Sequence, residues 1–209
     1  FVGVNSRVLS IIEAAGWPIW FIILTSVVAL AIIGERFWSL RYAVVAPRDL
    51  LLSTIREYQS RGVTPDLIER LQQGPLIGRI FVAALVNEKA PRDVIKDAVE
   101  DAGRAVGLDL ERFLNTLGTI ATVSTLLGLF GTIVGMIEIF GSQTPAGGNP
   151  AQLAHGISVA LYNTLFGIGV AIPAVIFYRH FRNKVDILVI EMESQAIKLI
   201  EIVRGERKA

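Results

Sequence analysis

The sequence predicts an all-α membrane protein with three transmembrane helices, the second and third of which extend far into the cytoplasm. The prediction rests on three uncharged runs, which cover residues 17–33, 117–137 and 157–178. Each run is near or above the roughly 20 apolar residues that cross a bilayer as a helix. With 209 residues and a mean hydropathy of +0.54, the chain is too short to bury three such helices on all sides of a soluble core.

The distribution of basic residues predicts which ends of the spans face the cytoplasm. The connector between the first two spans holds eleven Lys and Arg residues, and the tail from Arg179 holds seven. By contrast, Arg7 is the one basic residue before the first span, and the loop 141–156 has none. Because basic residues are enriched in cytoplasmic loops, the N-terminus and this loop are expected in the periplasm of a bacterial cell.

These observations predict a multi-pass protein of the bacterial inner membrane, built from seven segments. They are a periplasmic N-terminal segment (1–16), transmembrane helix 1 (17–40), a cytoplasmic helical connector (41–114), transmembrane helix 2 (115–140), a periplasmic loop (141–156), transmembrane helix 3 (157–179) and a cytoplasmic C-terminal helix (180–209). The chain begins at Phe1 rather than at Met, which leaves its true N-terminus open.

Helix formers and prolines predict how the cytoplasmic part is organised. Gly62, the Gly74-Pro75 pair and Pro91 separate three short helical patterns. No further proline occurs until Pro145, so one continuous helix is predicted over residues 92–140. The third span is predicted to continue as a helix to about Val203.

The composition gives no indication of several classes of function. The net charge is +1 and no basic run is interleaved with aromatic residues, so nucleic acid is not an expected partner. With no cysteine, the chain has no disulfide or thiolate metal site. The spans contain no nucleophile–base pair and no cluster of metal ligands, so we expect no enzymatic activity, no metal and no organic cofactor.

Polar and small residues are concentrated on one face of each of the last two spans. In the second span, the polar face consists of Asn115, Thr119, Thr122, Thr125 and Thr132, with Ser124 and Glu138 on the far side. In the third span, the seam consists of Ala160, Asn163, Thr164, Gly167, Ala171 and Ala174. Since an unpaired polar group in hydrocarbon costs several kcal/mol, these faces are expected to avoid lipid. They pack against other helices of the chain, or they line a pore or hold another polar transmembrane helix.

Four stretches of the sequence resemble a known family. The second span contains LLGLFGTIVGM (126–136), the third contains GISVAL (156–161) and AIPA (171–174), and the first span ends in ERFW (35–38). They resemble the ExbB/TolQ/MotA family of proton-channel motor proteins over nearly the whole chain. Three spans and a large inner connector are similar to ExbB and TolQ rather than to MotA, which has four spans.

The resemblance implies a subunit of a motor driven by the proton-motive force. Such proteins form pentamers, in which the second and third spans line a pore around a single-span partner of the ExbD/TolR type. An aspartate of the partner takes up and releases protons, which are expected as the coupling ion in preference to sodium. ExbB-like proteins energise outer-membrane import with TonB, and TolQ-like proteins act with TolA on the envelope. The alternatives are a TolQ-like or surface-motility motor subunit, or a non-conducting scaffold.

The resemblance also assigns roles to particular residues. The two pore threonines of the family fall on Thr132 and Thr164. The glutamate that ExbB and TolQ carry three residues after the leading glycine of the third span is replaced here by Val159. We therefore hypothesise a neutral hydrogen-bonding rim of Asn163, Thr164 and Thr132 around the partner's carboxylate, because an amide or hydroxyl cannot titrate there. The full set of predicted pore-lining residues is Thr132, Thr164, Asn163, Thr125, Thr122 and Tyr162.

Overall fold

The computed structural model describes residues 12, 15–141 and 150–206, and these residues form helices without a β-strand. The helices are α1 (Pro18–Ser39), α2 (Tyr42–Val45), α3 (Arg48–Arg61), α4 (Pro65–Gln73), α5 (Ile77–Val86), α6 (Arg92–Glu111), α7 (Leu114–Gly141) and α8 (Pro150–Val203). Three of them, α1, α7 and α8, are long and apolar enough to cross a membrane. The predicted all-α fold with three spans is therefore confirmed.

The chain forms two compact units, and the first comprises residues 1–34 and 115–179. It contains most of α1 and α7 and the first half of α8. A polar contact joins α1 to α7 inside this apolar unit, since the buried Ser124 hydroxyl donates to Thr25 Oγ1 at 3.2 Å. Thr25 in turn donates to the carbonyl of Ile22 in its own helix. Ser124 thus lies on the side of α7 that faces α1, away from the threonine face, as its position on the helical wheel predicts.

The second unit comprises residues 35–114 and 180–209. Its centre is α5, the apolar helix that packs against α4 and α6 and buries most of its length. The N-terminus of α4 is capped as the sequence indicates, because the Thr64 hydroxyl accepts from the Leu67 amide at 3.2 Å and Pro65 occupies the first turn. The short helix α2 has no counterpart in the sequence prediction.

The prediction of one uninterrupted helix over residues 92–140 is wrong. Helix α6 ends at Glu111, Arg112 and Phe113 form a turn, and α7 begins at Leu114. The buried Arg36 explains the interruption, because its Nη1 donates to the Leu110 carbonyl oxygen at 2.9 Å. That carbonyl would accept from the Leu114 amide in a continuous helix. A cation is also favourable at a helix C-terminus, so Arg36 stabilises the end of α6.

The predicted continuation of the third span to Val203 is confirmed, because α8 runs unbroken from Pro150 to Val203. It starts inside the segment 141–156 that the sequence analysis assigned to a periplasmic loop. Proline at the first turn of a helix is favourable, since its missing amide has no partner to lose there. The rest of that segment, 142–149, lies outside the described residues.

Candidate functional site

Glycines bring α7 and α8 into backbone contact in the middle of the spans. A Cβ added to Gly167 would lie 2.5 Å from the Ser124 carbonyl oxygen and 2.8 Å from Gly128 Cα. A Cβ on Gly128 would lie 2.9 Å from the carbonyl oxygen of Asn163. Only hydrogen atoms fit between these backbones, which is the kind of close approach that small residues permit in membrane helices.

This close approach brings Thr132 and Thr164 together, as the sequence predicts. Their hydroxyl groups are hydrogen-bonded directly to each other. Thr132 Oγ1 also lies 3.1 Å from the Gly128 carbonyl oxygen and 3.2 Å from that of Ala160, and Thr164 Oγ1 lies 3.2 Å from the Gly128 carbonyl. Two hydroxyl protons therefore have three acceptor oxygens within reach, counting the hydroxyl of the other threonine once. The proton of each hydroxyl can exchange between neighbours without moving a backbone atom.

Thr122 and Thr125 lie in a groove between α7 and α8. Both side chains are exposed in the single chain, and each hydroxyl donates to its own helix, to Gly118 and Ala121 respectively. Thr132 follows Thr125 by two turns on the same face of α7. The groove has a volume of about 630 Å³, and its other walls are apolar: Ala121, Leu126, Ile168, Ala171, Ile172, Val175 and Ile176. The structure thus gathers the predicted threonines on one side of the α7–α8 pair.

Asn163 lies on a different side of α8 and is directed into the interior of the chain. Its side chain is 1% exposed, its Nδ2 donates to the Ala15 carbonyl oxygen at 2.9 Å, and its Cβ and Cγ lie against Gly131. Its Oδ1 has no hydrogen-bond partner among the described residues. The amide therefore ties α8 to the residues that precede α1, and it does not line the threonine groove.

A second cavity, of about 370 Å³, lies on the Asn163 side of the α7–α8 pair. Val159, the position at which the family carries a glutamate, lines this cavity and not the groove. Glu138 of α7 and His155 of α8 line it as well. Sequence reasoning missed this cavity, although the placement of Glu138 on the far side of α7 from the threonines was an available signal. Tyr162 is half-buried and lines neither of these two cavities.

Metal ligands are not gathered anywhere in the part of the chain that the structure describes. Over residues 15–141 and 150–206, no three His, Cys, Asp or Glu side chains come together in a way that could hold a metal ion. The polar groups of the threonine groove are hydroxyls and backbone carbonyls. Their chemistry is the transfer and exchange of hydrogen bonds.

Comparison with known proteins decides the family. The sequence model of the MotA/TolQ/ExbB proton channel family matches residues 72–194, a range that contains the threonine pair and the whole of α7. The chain belongs to the MotA/TolQ/ExbB proton channel family. The resemblance seen in the sequence is thereby confirmed, and the protein is a multi-pass membrane protein of the proton-channel motor type.

Individual relatives lie on the ExbB and TolQ side of the family. The chain is 37% identical over 167 residues to a biopolymer transport protein named ExbB-like 3 from Synechocystis, which covers 76% of this chain and 77% of that protein. It is 38% identical to ExbB of Helicobacter pylori, over 54% of this chain and 72% of the relative. It is 32% identical to the Tol-Pal system protein TolQ of Pseudomonas aeruginosa, over 77% and 68%. Similarity to both groups confirms that the chain is closest to ExbB and TolQ.

Proposed function

We propose that the chain is the pore-forming subunit of a motor of the bacterial inner membrane driven by the proton-motive force. In this proposal, several copies, five by analogy with the family, surround a single-span partner of the ExbD/TolR type. The N-terminus lies in the periplasm and the C-terminus in the cytoplasm. The motor energises TonB-type import through the outer membrane. The observation that supports the proposal most directly is the hydrogen-bonded pair of Thr132 and Thr164.

The threonine pair suits a carboxyl group that changes its protonation state. Both hydroxyl protons can point to the carbonyls of Gly128 and Ala160, which leaves hydroxyl lone pairs to accept from a protonated carboxylic acid. When the acid is deprotonated, one hydroxyl can turn and donate to the carboxylate instead. A hydrogen bond to an ionised acceptor is stronger than a neutral one, so the pair stabilises the charged state inside the membrane.

The titrating group itself is assigned to the partner. The described residues that line the threonine groove include no acid, base or histidine. Val159 lines the other cavity, so even a carboxylate at that position would begin from a different side of α8. Protons remain the proposed coupling ion, since a hydroxyl pair exchanges protons and hydrogen bonds without needing the several oxygen ligands of a sodium site.

The position of Asn163 narrows the hypothesised rim. Its amide is occupied within the chain by the Ala15 carbonyl. We therefore assign the rim to Thr132 and Thr164, with Thr125 and Thr122 continuing the polar line along the groove. Asn163 acts on the rim through packing, because its backbone carbonyl lies against Gly128.

A deletion strain tests the physiological assignment. If the motor is ExbB-like, deletion abolishes growth on a ferric siderophore as sole iron source, and the wild-type gene restores it. Thr164→Val fails to restore growth, whereas Thr119→Val, which removes a hydroxyl bonded only to its own helix, restores it. Sensitivity to detergents with normal siderophore use would contradict the TonB assignment and favour a TolQ-like role.

A further inference from the structure

The cavity beside Asn163 contains a buried oxygen atom without a partner. Asn163 Oδ1 is inaccessible to solvent and accepts no hydrogen bond from the described residues. Its orientation is fixed, because the amide nitrogen must face the Ala15 carbonyl, which can only accept. An unpaired carbonyl of this kind costs several kcal/mol in an apolar surrounding. The cavity of about 370 Å³ next to it has room for several waters, each of which occupies roughly 30 Å³.

The helical register shows how the polar groups are distributed along the cavity. Gly131 contacts Asn163, and Glu138 follows Gly131 by seven residues on the same face of α7, or about 10 Å along the helix. On α8, His155 precedes Asn163 by eight residues, or about 12 Å. Val159 stands midway between them. The amide oxygen therefore marks the inner end of the cavity, and Glu138 and His155 mark the end near which α7 stops and α8 starts.

We propose that this cavity is a hydrated chamber that binds an exchangeable monovalent cation, carried between the carboxylate of Glu138 and the amide oxygen of Asn163. The polar atoms that the lining side chains offer are mainly acceptors, which favours a cation over an anion. Glu138 is the one acidic side chain in the lining, so the chamber matches a single positive charge. A hydrated proton and Na⁺ share this chemistry.

The proposal concerns one chain by itself. All the residues that carry it belong to the first compact unit, and it stands whether or not the assembled protein conducts ions. Two titratable side chains line the chamber, Glu138 and His155. As the pH falls, neutralisation of Glu138 and protonation of His155 act in the same direction, because both weaken the attraction for a cation.

The absence of cysteine from the chain allows a direct test with single thiols. Val159→Cys places a thiol in the middle of the chamber, and Leu161→Cys places one on the opposite side of α8, where the side chain is exposed on the apolar surface. Both variants are reconstituted in lipid nanodiscs. Each is reacted with two methanethiosulfonates of similar size, one carrying a trimethylammonium group and the other a sulfonate. Labelling after denaturation shows that every thiol is reactive.

The expected result has three parts. Val159→Cys reacts in the folded protein and Leu161→Cys does not, since methanethiosulfonates attack the hydrated thiolate. The cationic reagent reacts with Val159→Cys about tenfold faster than the anionic one, because of the nearby carboxylate. Adding Glu138→Gln removes this preference and leaves the reaction of the thiol with both reagents, whereas Asp97→Asn, an exposed charge removal on α6, leaves the preference unchanged.

The occupant is distinguished by competition in the same assay. If Na⁺ fills the chamber, it slows the cationic reagent more than choline does at equal ionic strength. If a proton fills it, the ratio of the two rates falls with pH, and Glu138→Gln abolishes that fall. An unreactive Val159→Cys, equal labelling of Val159→Cys and Leu161→Cys, or equal rates for the two reagents would overturn the proposal.

Discussion

Thr132 of α7 and Thr164 of α8 are hydrogen-bonded to each other through their hydroxyl groups, and both hydroxyls lie within reach of the Gly128 carbonyl. The pair joins two helices of an apolar unit at a point where their backbones touch. It is therefore both a structural contact and the polar group that the proposed mechanism uses. These two roles can be separated by experiment.

The structural role predicts coupling between the two threonines. Thr132→Val and Thr164→Val each remove a hydroxyl and keep the shape of the side chain. We expect each to lower the free energy of unfolding by about 1 kcal/mol, and the double variant to cost less than the sum. Unfolding of the purified protein in detergent measures all three. Additive effects would contradict a direct hydrogen bond, and Thr122→Val serves as a control because its hydroxyl bonds only to its own helix.

The glycine contact predicts a large difference between two neighbouring positions. In Gly167→Ala, the new methyl would meet the Ser124 carbonyl oxygen and the backbone of Gly128, so α7 and α8 must separate. We expect a loss of about 1–3 kcal/mol of stability. Gly169→Ala, two residues away, meets no atom within 4 Å in this chain and should be neutral. Equal thermal stability of the two variants would show that the helices do not touch at Gly167.

Arg36 predicts a local effect at the break between α6 and α7. Arg36→Gln removes the bond to the Leu110 carbonyl, the ion pair with Glu35 and the contact with the Phe113 ring. We expect a loss of about 1.5–3 kcal/mol, typical of a hydrogen bond to a charged group. Hydrogen exchange of the amides at residues 112–114 should accelerate.

The matched control for Arg36 is Arg41→Gln. The Arg41 guanidinium lies over the Trp38 ring at 4.6 Å and is exposed, so its removal should cost at most about 1 kcal/mol. If Arg36→Gln and Arg41→Gln had the same effect on stability and exchange, Arg36 would not be the cause of the break.

Glu193 predicts how stability depends on pH. Burial raises the pKa of this carboxyl above its usual 4.5, the Glu100 carboxylate raises the pKa further, and Arg104 lowers it. The folded protein therefore binds this proton more tightly than the unfolded chain does. The contribution to stability is complete below the usual pKa and is lost as the pH rises through the raised one. Glu193→Gln should raise the Tm at neutral and alkaline pH and have little effect on it below pH 4.5.

The pH profile of the Tm provides the comparison for Glu193. Asp97→Asn removes an exposed carboxylate from α6 and should leave the shape of the wild-type profile unchanged. A Glu193→Gln variant with the same profile as the wild type would contradict the assigned effect of burial.

Features set by local pattern were predictable from the sequence. The three spans follow from uncharged runs of the right length, the extension of α8 to Val203 follows from an unbroken series of helix formers, and the Thr132–Thr164 pair follows from the two motifs. Helical phase also placed Ser124 on the side of α7 that faces α1. In each case the information lies within one helix or in the alignment of two motifs.

Features set by distant side chains were not predictable. The break after α6 depends on Arg36, which precedes Leu110 by 74 positions. The direction of Asn163 depends on Ala15, 148 positions away, and on the space that Gly131 leaves. Asn163 and Thr164 are consecutive and only about 100° apart on the helix, so a helical wheel assigns them to one face. The packed structure divides that face between the inner cavity and the contact with Thr132.

Ion flux tests the central claim most directly. The protein is purified with the single-span partner encoded beside it, reconstituted in liposomes, and exposed in turn to a pH gradient and a sodium gradient. The account predicts proton flux down the pH gradient, reduced roughly ten- to hundredfold in Thr164→Val by the loss of one hydrogen bond to a charged group. Thr119→Val should conduct like the wild type. Absence of flux under both gradients would contradict the account and favour a non-conducting scaffold.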